Sequence, residues 1–274
     1  MKAPKRLGSA GLALLASLAL NVALSGETGP EAVTGSLSLG TFNRYIFRGY
    51  RLGRDSIVFE PALSVSYQGF SAAFWGNIDM REKATPCFVP DRPGRKSFNE
   101  TDLTLSYTHS LGRFGLTAGF IYYGTKYTAE TQELYVGASL AVPGKPTLTI
   151  FRDVDAYPGT YFLLSLAHSV ALNRGITLDL GASAAYFSGS ADYWRTYLPS
   201  AGGYAGEKYR AFHDGVIKAG LTIPLAKNLG LQAGTQFCFP LSAAARRTIE
   251  GHSYNVNGHL ASILVFGTTL TFGF

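Results

Sequence analysis

The stretch 263–274 alternates in parity along its whole length, and that period of two constrains the fold more than any other feature of the chain. Leu264, Phe266, Leu270, Phe272 and Phe274 share one face of an extended strand, with Thr268 among them. Ile263, Val265, Gly267, Thr269, Thr271 and Gly273 share the other. One face is oily and the other mostly small or hydroxylated, as in a strand with two different surroundings.

Composition agrees. The 274 residues are 46% hydrophobic but only 15% charged, below the usual quarter, and the 32 Gly, 16 Tyr and 18 Phe favour β structure. At the other terminus, Lys2, Lys5 and Arg6 precede an apolar run over 7–24 that ends in Ala23-Leu24-Ser25. The run is rich in Ala, Gly and Ser, so it reads as a secretory signal peptide rather than a retained membrane helix. Residues 1–25 are therefore expected to be removed, leaving 26–274 as one domain. Cleavage takes three positive charges and no acidic ones, lowering the formal charge from +6 to +3. A nucleic-acid partner loses its main support. Export permits disulfides, and the chain has two cysteines, Cys87 and Cys238.

The same alternation recurs along the chain. Leu37, Leu39, Tyr45 and Phe47 share a parity opposite Ser38, Gly40, Arg44 and Arg48. Ile57, Phe59, Leu63 and Val65 oppose Val58, Glu60 and Ser64, and a Gln68-Gly69 turn leads to Phe70, Ala72 and Phe74 opposite Trp75, Asn77 and Asp79. Further runs centre on Leu103, Leu116, Leu134, Leu148, Leu164, Leu178, Ile217 and Leu231. With the closing strand this predicts about twelve strands in an all-β, closed, antiparallel up-and-down barrel, an even number as bacterial single-chain membrane barrels have.

The breaks alternate in length. Short ones fall at 68–69, 110–113, 143–146, 172–175 and 225–228, and longer ones at 49–55, 81–97, 126–131, 153–160, 189–209 and 242–253. Short turns at one end and long loops at the other fit a barrel spanning a bilayer, where closure pairs every backbone group. Tyr45, Phe47, Tyr67, Tyr107, Tyr122, Tyr186, Phe272 and Phe274 fall at run ends and suit interfacial girdles.

If the oily parity faces lipid, the lumen holds Arg44, Arg48, Glu60, Asp79, Asp102, Glu133, Asp179, Asp214 and Lys218, with Gln232 and Gln236. These are the candidate constriction residues, and they divide between paired, hydrated wall charges and a charge-selecting constriction. Phe42, Trp75, Tyr123, Tyr135, Phe151, Tyr161 and Phe187 share the inner parity and narrow the bore. A narrow or partly plugged channel is expected, with 81–97 long enough to fold inward and a Cys87–Cys238 bridge as a possible tether. His109, His168, His213, His252 and His259 are scattered, no catalytic spacing accompanies them, and no enzyme activity, metal or cofactor is expected.

Two resemblances bear on this. The terminal aromatic strand resembles the closing strand of Gram-negative outer-membrane barrels, which implies that Phe274 is read by the barrel assembly machinery. Asn43-Arg44-Tyr45-Ile46-Phe47-Arg48-Gly49-Tyr50, Glu60-Pro61-Ala62-Leu63 and Gly69-Phe70-Ser71-Ala72-Ala73-Phe74-Trp75-Gly76-Asn77 resemble the opening strands of the TorF-type putative porins. Here the third strand reads Gly-Phe-Ser-Ala-Ala-Phe-Trp-Gly where that family tends to Gly-Phe-Tyr-x-Gly-x-Trp. The resemblance implies a bacterial outer-membrane protein of the porin kind, without a settled substrate, and the barrel pattern reads as a passive channel for small hydrophilic solutes. The alternative is a non-conducting structural or surface-interaction barrel that acts through its outside loops.

Overall fold

The computed structural model describes residues 32–85, 89–196, 198–247 and 262–274. The expected signal peptide, Cys87, His252 and His259 lie outside them.

Chain order begins with β1 (Thr34–Phe42), a small hairpin of β2 (Ile46–Phe47) and β3 (Tyr50–Arg51), then β4 (Val58–Tyr67) and β5 (Phe70–Asp79). It continues through β6 (Ser97–Leu111), β7 (Phe114–Thr125), β8 (Thr131–Leu140), β9 (Thr147–Asp153) and β10 (Gly159–Ala171). β11 (Thr177–Gly189), β12 (Arg210–Ala226), β13 (Leu229–Pro240), a short helix α1 (Ala243–Arg247) and β14 (Ile263–Gly273) complete it. Twelve of these strands close into an antiparallel barrel of sequential neighbours, with β2 and β3 forming a separate two-stranded ladder.

The seam is made by β1, which pairs with β14 from Ser36↔Gly273 to Phe42↔Gly267 and on its other edge with β4. Reciprocal bonds between Gly35 and Phe274, 2.9 and 3.0 Å, finish it. No barrel edge is left unpaired, which is the condition for a sheet in hydrocarbon.

The alternation sorts side chains as the bilayer requires. Leu37, Leu63, Leu105, Leu134, Val136 and Phe266 point outward and stay exposed, and such a continuous apolar belt needs lipid to cover it. Tyr67, Tyr107, Phe272 and Phe274 lie on that outer face near the short-turn end. His168 also faces outward.

The opening strand departs from the sequence reading. Strand β1 ends at Phe42, not at Phe47, because Asn43 terminates it: its backbone N–H donates to Phe266 O (3.1 Å) while its side-chain oxygen accepts from Phe266 N (3.0 Å). Beyond that point the chain leaves the wall and turns inward. Arg44 and Arg48 therefore do not stand on the first strand, and Tyr45 and Phe47 are inside the barrel rather than in a lipid-facing girdle.

Candidate functional site

The inward segment, 43–57, forms a strut across the lumen. Its tip is a two-residue turn, Arg48 (φ 46°) and Gly49 (φ 78°), between the paired residues Phe47 and Tyr50. Two consecutive left-handed residues give the turn whose twist matches a tight hairpin, and glycine takes the second at no steric cost. At its base Tyr45 is buried, its ring 5.3 Å from that of Trp75 on β5, and its carbonyl accepts from Leu52 N and Gly53 N. Burial pushes the Tyr45 phenol well above its usual value, and Glu100, Asp102 and Glu60 raise it further, so it remains neutral.

The tip reaches the far wall. Arg48 donates Nη1 to Glu133 Oε1 (2.7 Å) and Nη2 to Glu133 Oε2 (2.6 Å), a bidentate pair with side chains only 10% and 5% exposed. Its guanidinium lies 4.4 Å from the Tyr161 ring centre and 4.9 Å from those of Phe47 and Phe151. Glu133, Phe151 and Tyr161 belong to β8, β9 and β10, which lie half-way round the ring from β1 and β4. The hairpin thus spans a diameter. Burial opposes the Arg48 charge, but the Glu133 carboxylate outweighs it and holds the guanidinium above its ordinary range.

The clasp is braced on both sides. Tyr123 donates to Glu133 Oε2 (3.0 Å) and Tyr161 to Asp214 Oδ1 (2.7 Å), while the Tyr50 ring sits 5.2 Å from that of His213. Tyr209 and His213 Nδ1 are hydrogen-bonded at 2.8 Å, and Tyr50 packs on the fully buried Ala245 of α1. His213 is thus part of an aromatic packing around the strut.

The structure brings Arg48, Glu133 and Asp214 together through Tyr123 and Tyr161, and disperses the other candidates. Glu60 and Asp102 are buried on the β4–β6 wall, near Tyr45. Asp79 accepts from Arg81 N (2.9 Å) at the long-loop end of β5, and Arg44 is half-buried just past β1. Asp179 lies near the other end, accepting from Ser169 (2.6 Å) and Thr222 (2.6 Å), with Lys218 on the neighbouring strand across from Gly181. Gln232 and Gln236 are buried on β13. Cys238 is a buried free thiol on the inner face, and the proposed pairing with Cys87 falls outside the described residues. Among the described residues no group of three potential ligands could hold a metal.

The plugging element is segment 43–57, not the longer 81–97 expected to fold inward; among the described residues, 80–96 stays at the long-loop end, pinned by Glu82 N to Arg95 O (2.9 Å). Sequence reasoning missed the roles of Tyr50, Tyr123, Tyr161 and His213 in bracing the strut. The available signal was Gly49 as the second residue of a two-residue break between Phe47 and Tyr50.

Below the strut the lumen changes character. Ser36, Ser64, Ser71, Thr117, Ser139, Thr149 and Ser165 face inward near the short-turn end and are half-buried, so water reaches them from within the barrel. Several pair hydroxyl to hydroxyl, as Ser36 with Ser64 and Thr108 with Thr117, both at 2.9 Å.

No family model and no curated protein matches the chain. Among solved structures it is similar to Salmonella typhi OmpF in complex with daunomycin, at 10% identity and TM-score 0.37 over 89% of this chain and 97% of that one. It is also similar to an anion-selective porin from Comamonas acidovorans (11%, 0.35, 89% and 99%). A third is the translocator domain of the autotransporter NalP from Neisseria meningitidis (10%, 0.38, 90% and 89%).

Proposed function

We propose that the protein is an outer-membrane channel for passive diffusion of small hydrophilic solutes, its bore set by the hairpin at 46–51. In this reading the apolar exterior faces lipid, the short turns face the periplasm and the long loops face outward. One observation carries it: at the short-turn end the inner face of β1, β4, β5 and β7–β10 carries small hydroxyl side chains that stay partly solvent-accessible, while Asp179, Thr222 and Gln232 on β11–β13 are buried. Eight-stranded barrels fill with side chains and sixteen-stranded ones hold wide channels, whereas twelve strands lined by Ser, Thr and Gly leave a water-filled half-lumen. A barrel serving only as a scaffold has no need of that hydrated interior.

Solute would pass beside the strut, where Arg44, Arg48 and Arg51 come from the hairpin segment and Glu60, Glu100, Asp102, Glu133 and Asp214 from the wall. The acids outnumber the arginines, so weak cation preference is the expected selectivity. A second reading draws on the same strut. A hairpin clasped wall to wall favours a non-conducting barrel acting through its outside loops.

Planar-bilayer recording of the refolded mature protein, with reversal potential in a salt gradient, separates the two. Steady small openings support the channel. Silence from protein that retains heat-modifiable barrel migration supports the second reading.

A further inference from the structure

A cavity of about 700 Å³ opens at the long-loop end, between Glu82 with 91–97 on one side and 126–127 on the other. Arg92, Arg95 and Lys96 border it from the first side and Lys126 from the second. Among the described residues, Arg92, Arg95 and Lys96 have no ion-pair partner. Lys126 reaches Asp91 only at 4.0 Å and donates to Ser97 Oγ at 3.1 Å. The other acid bordering the cavity, Glu82, is buried and already engaged: Oε1 accepts from Asn99 Nδ2 (2.7 Å) and Oε2 from the Tyr127 hydroxyl (2.6 Å). Four cations therefore face one volume against two acids, one of them saturated.

The cavity is preformed. Gly94 N donates to Glu82 O (2.7 Å) and Lys126 N to Asn99 O (3.0 Å), while Asn77 Nδ2 donates to Asn99 Oδ1 (2.7 Å) and ties the network to the wall. Its volume falls within the several hundred Å³ usual for small-molecule sites. A single carboxylate would satisfy one guanidinium fork and leave the other cations facing each other. Tetrahedral oxyanions with several acceptors each would engage them all.

From this geometry we propose that the cavity binds a ligand carrying at least two phosphate groups on a sugar-sized frame. Such phosphates come from a soluble phosphorylated solute or from a membrane glycolipid exposed beside the loops. The site stands apart from the channel reading, because binding is read without conductance and its failure leaves that reading untouched.

The test is calorimetry on the refolded barrel in a nonionic detergent, titrated with glucose 1,6-bisphosphate and, separately, with bisphosphorylated lipid A in mixed micelles. The triple variant Arg92→Gln/Arg95→Gln/Lys96→Gln changes exposed loop residues, and heat-modifiable migration checks its fold. A control, Arg113→Gln/Lys145→Gln/Arg174→Gln, removes the same charge from exposed positions at the short-turn end. Saturable binding of either probe, weakened about tenfold or more in the triple variant and unchanged in the control, is expected. Binding of the soluble probe assigns a solute as one source, and binding of lipid A alone assigns the glycolipid. No saturable binding of either probe, or equal affinity in the triple variant and its parent, overturns the site. Equal loss in triple variant and control does so too, by reducing it to net charge.

Discussion

The two halves of this lumen share one wall and differ in what the wall is for. Toward the long loops, inner positions carry Glu60, Asp102, Glu133, Phe151, Tyr161 and Phe187, all buried, Glu133, Phe151 and Tyr161 against Arg48 of the hairpin and Phe187 against Trp194. Toward the short turns, the same strands carry Ser64, Ser106, Ser139, Thr149, Ser165 and Ser183, most of them half-buried and facing water. The outer face does not change between the halves, since lipid is its neighbour throughout. The alternation therefore reports the outside of a membrane barrel, while residue size on the inside reports whether the lumen is packed or wet.

Substitutions in the two halves should differ accordingly. The largest effect falls on the clasp: Arg48→Ala or Glu133→Ala strands its partner as a buried, unpaired charge and costs about 3–5 kcal/mol. Urea titration of the folded barrel reads that loss, and the double variant should lose less than the sum of the two. Next comes the shared outer face, where Val136→Arg should cost about 2–4 kcal/mol near the bilayer midplane, as measured by reversible unfolding in liposomes. If it costs nothing, Val136 does not meet lipid and the comparison loses its common wall. Tyr161→Phe removes the donor to the Asp214 carboxylate and should cost about 1–3 kcal/mol in the same assay. In the wet half, Ser36→Ala should change stability by less than about 0.5 kcal/mol, and a larger loss would mean that this half is packed after all.

A steric probe sharpens the boundary between the halves. Gly119 lies beneath the Tyr135 ring, and an added Cβ would fall 2.5 Å from Tyr135 Cε1. Gly119→Val is therefore expected to displace that ring into the bore and lower conductance, while Ser36→Ala leaves it unchanged. Equal conductance in both variants would place the limiting aperture elsewhere.

Most of the wall was legible in the sequence because the bilayer enforces a strict period of two and the turns alternate with long loops. The Gln68-Gly69 turn was readable for the same reason that the strut was not. Gln68 (φ 46°) and Gly69 (φ 88°) have nearly the φ values of Arg48 and Gly49, but they separate two long runs with clear parity. The hairpin at 46–51 has only two residues on each arm, and Tyr45 and Phe47 continue the oily parity of β1 by coincidence. Period alone extended the first strand through Asn43, where the structure ends it.

The candidate charges were legible as a set of inner-face residues, because parity assigns a face. Which of them meet was not, since Arg48 and Glu133 are 85 residues apart and join only when the hairpin crosses the ring. Parity carries no information about a segment that leaves the wall. Asp179 and Lys218 illustrate the converse, sitting on neighbouring strands that sequence order alone makes adjacent, two residues apart in register.

The most direct test of the account is single-channel conductance of the intact chain against one in which residues 46–51 are replaced by a short Gly-Ser linker. The account predicts small steps from the intact protein and several-fold larger, ohmic steps from the excised variant, with both retaining barrel migration. Equal conductance from the two folded proteins would contradict it, because a strut that can be removed without widening the path does not set the bore.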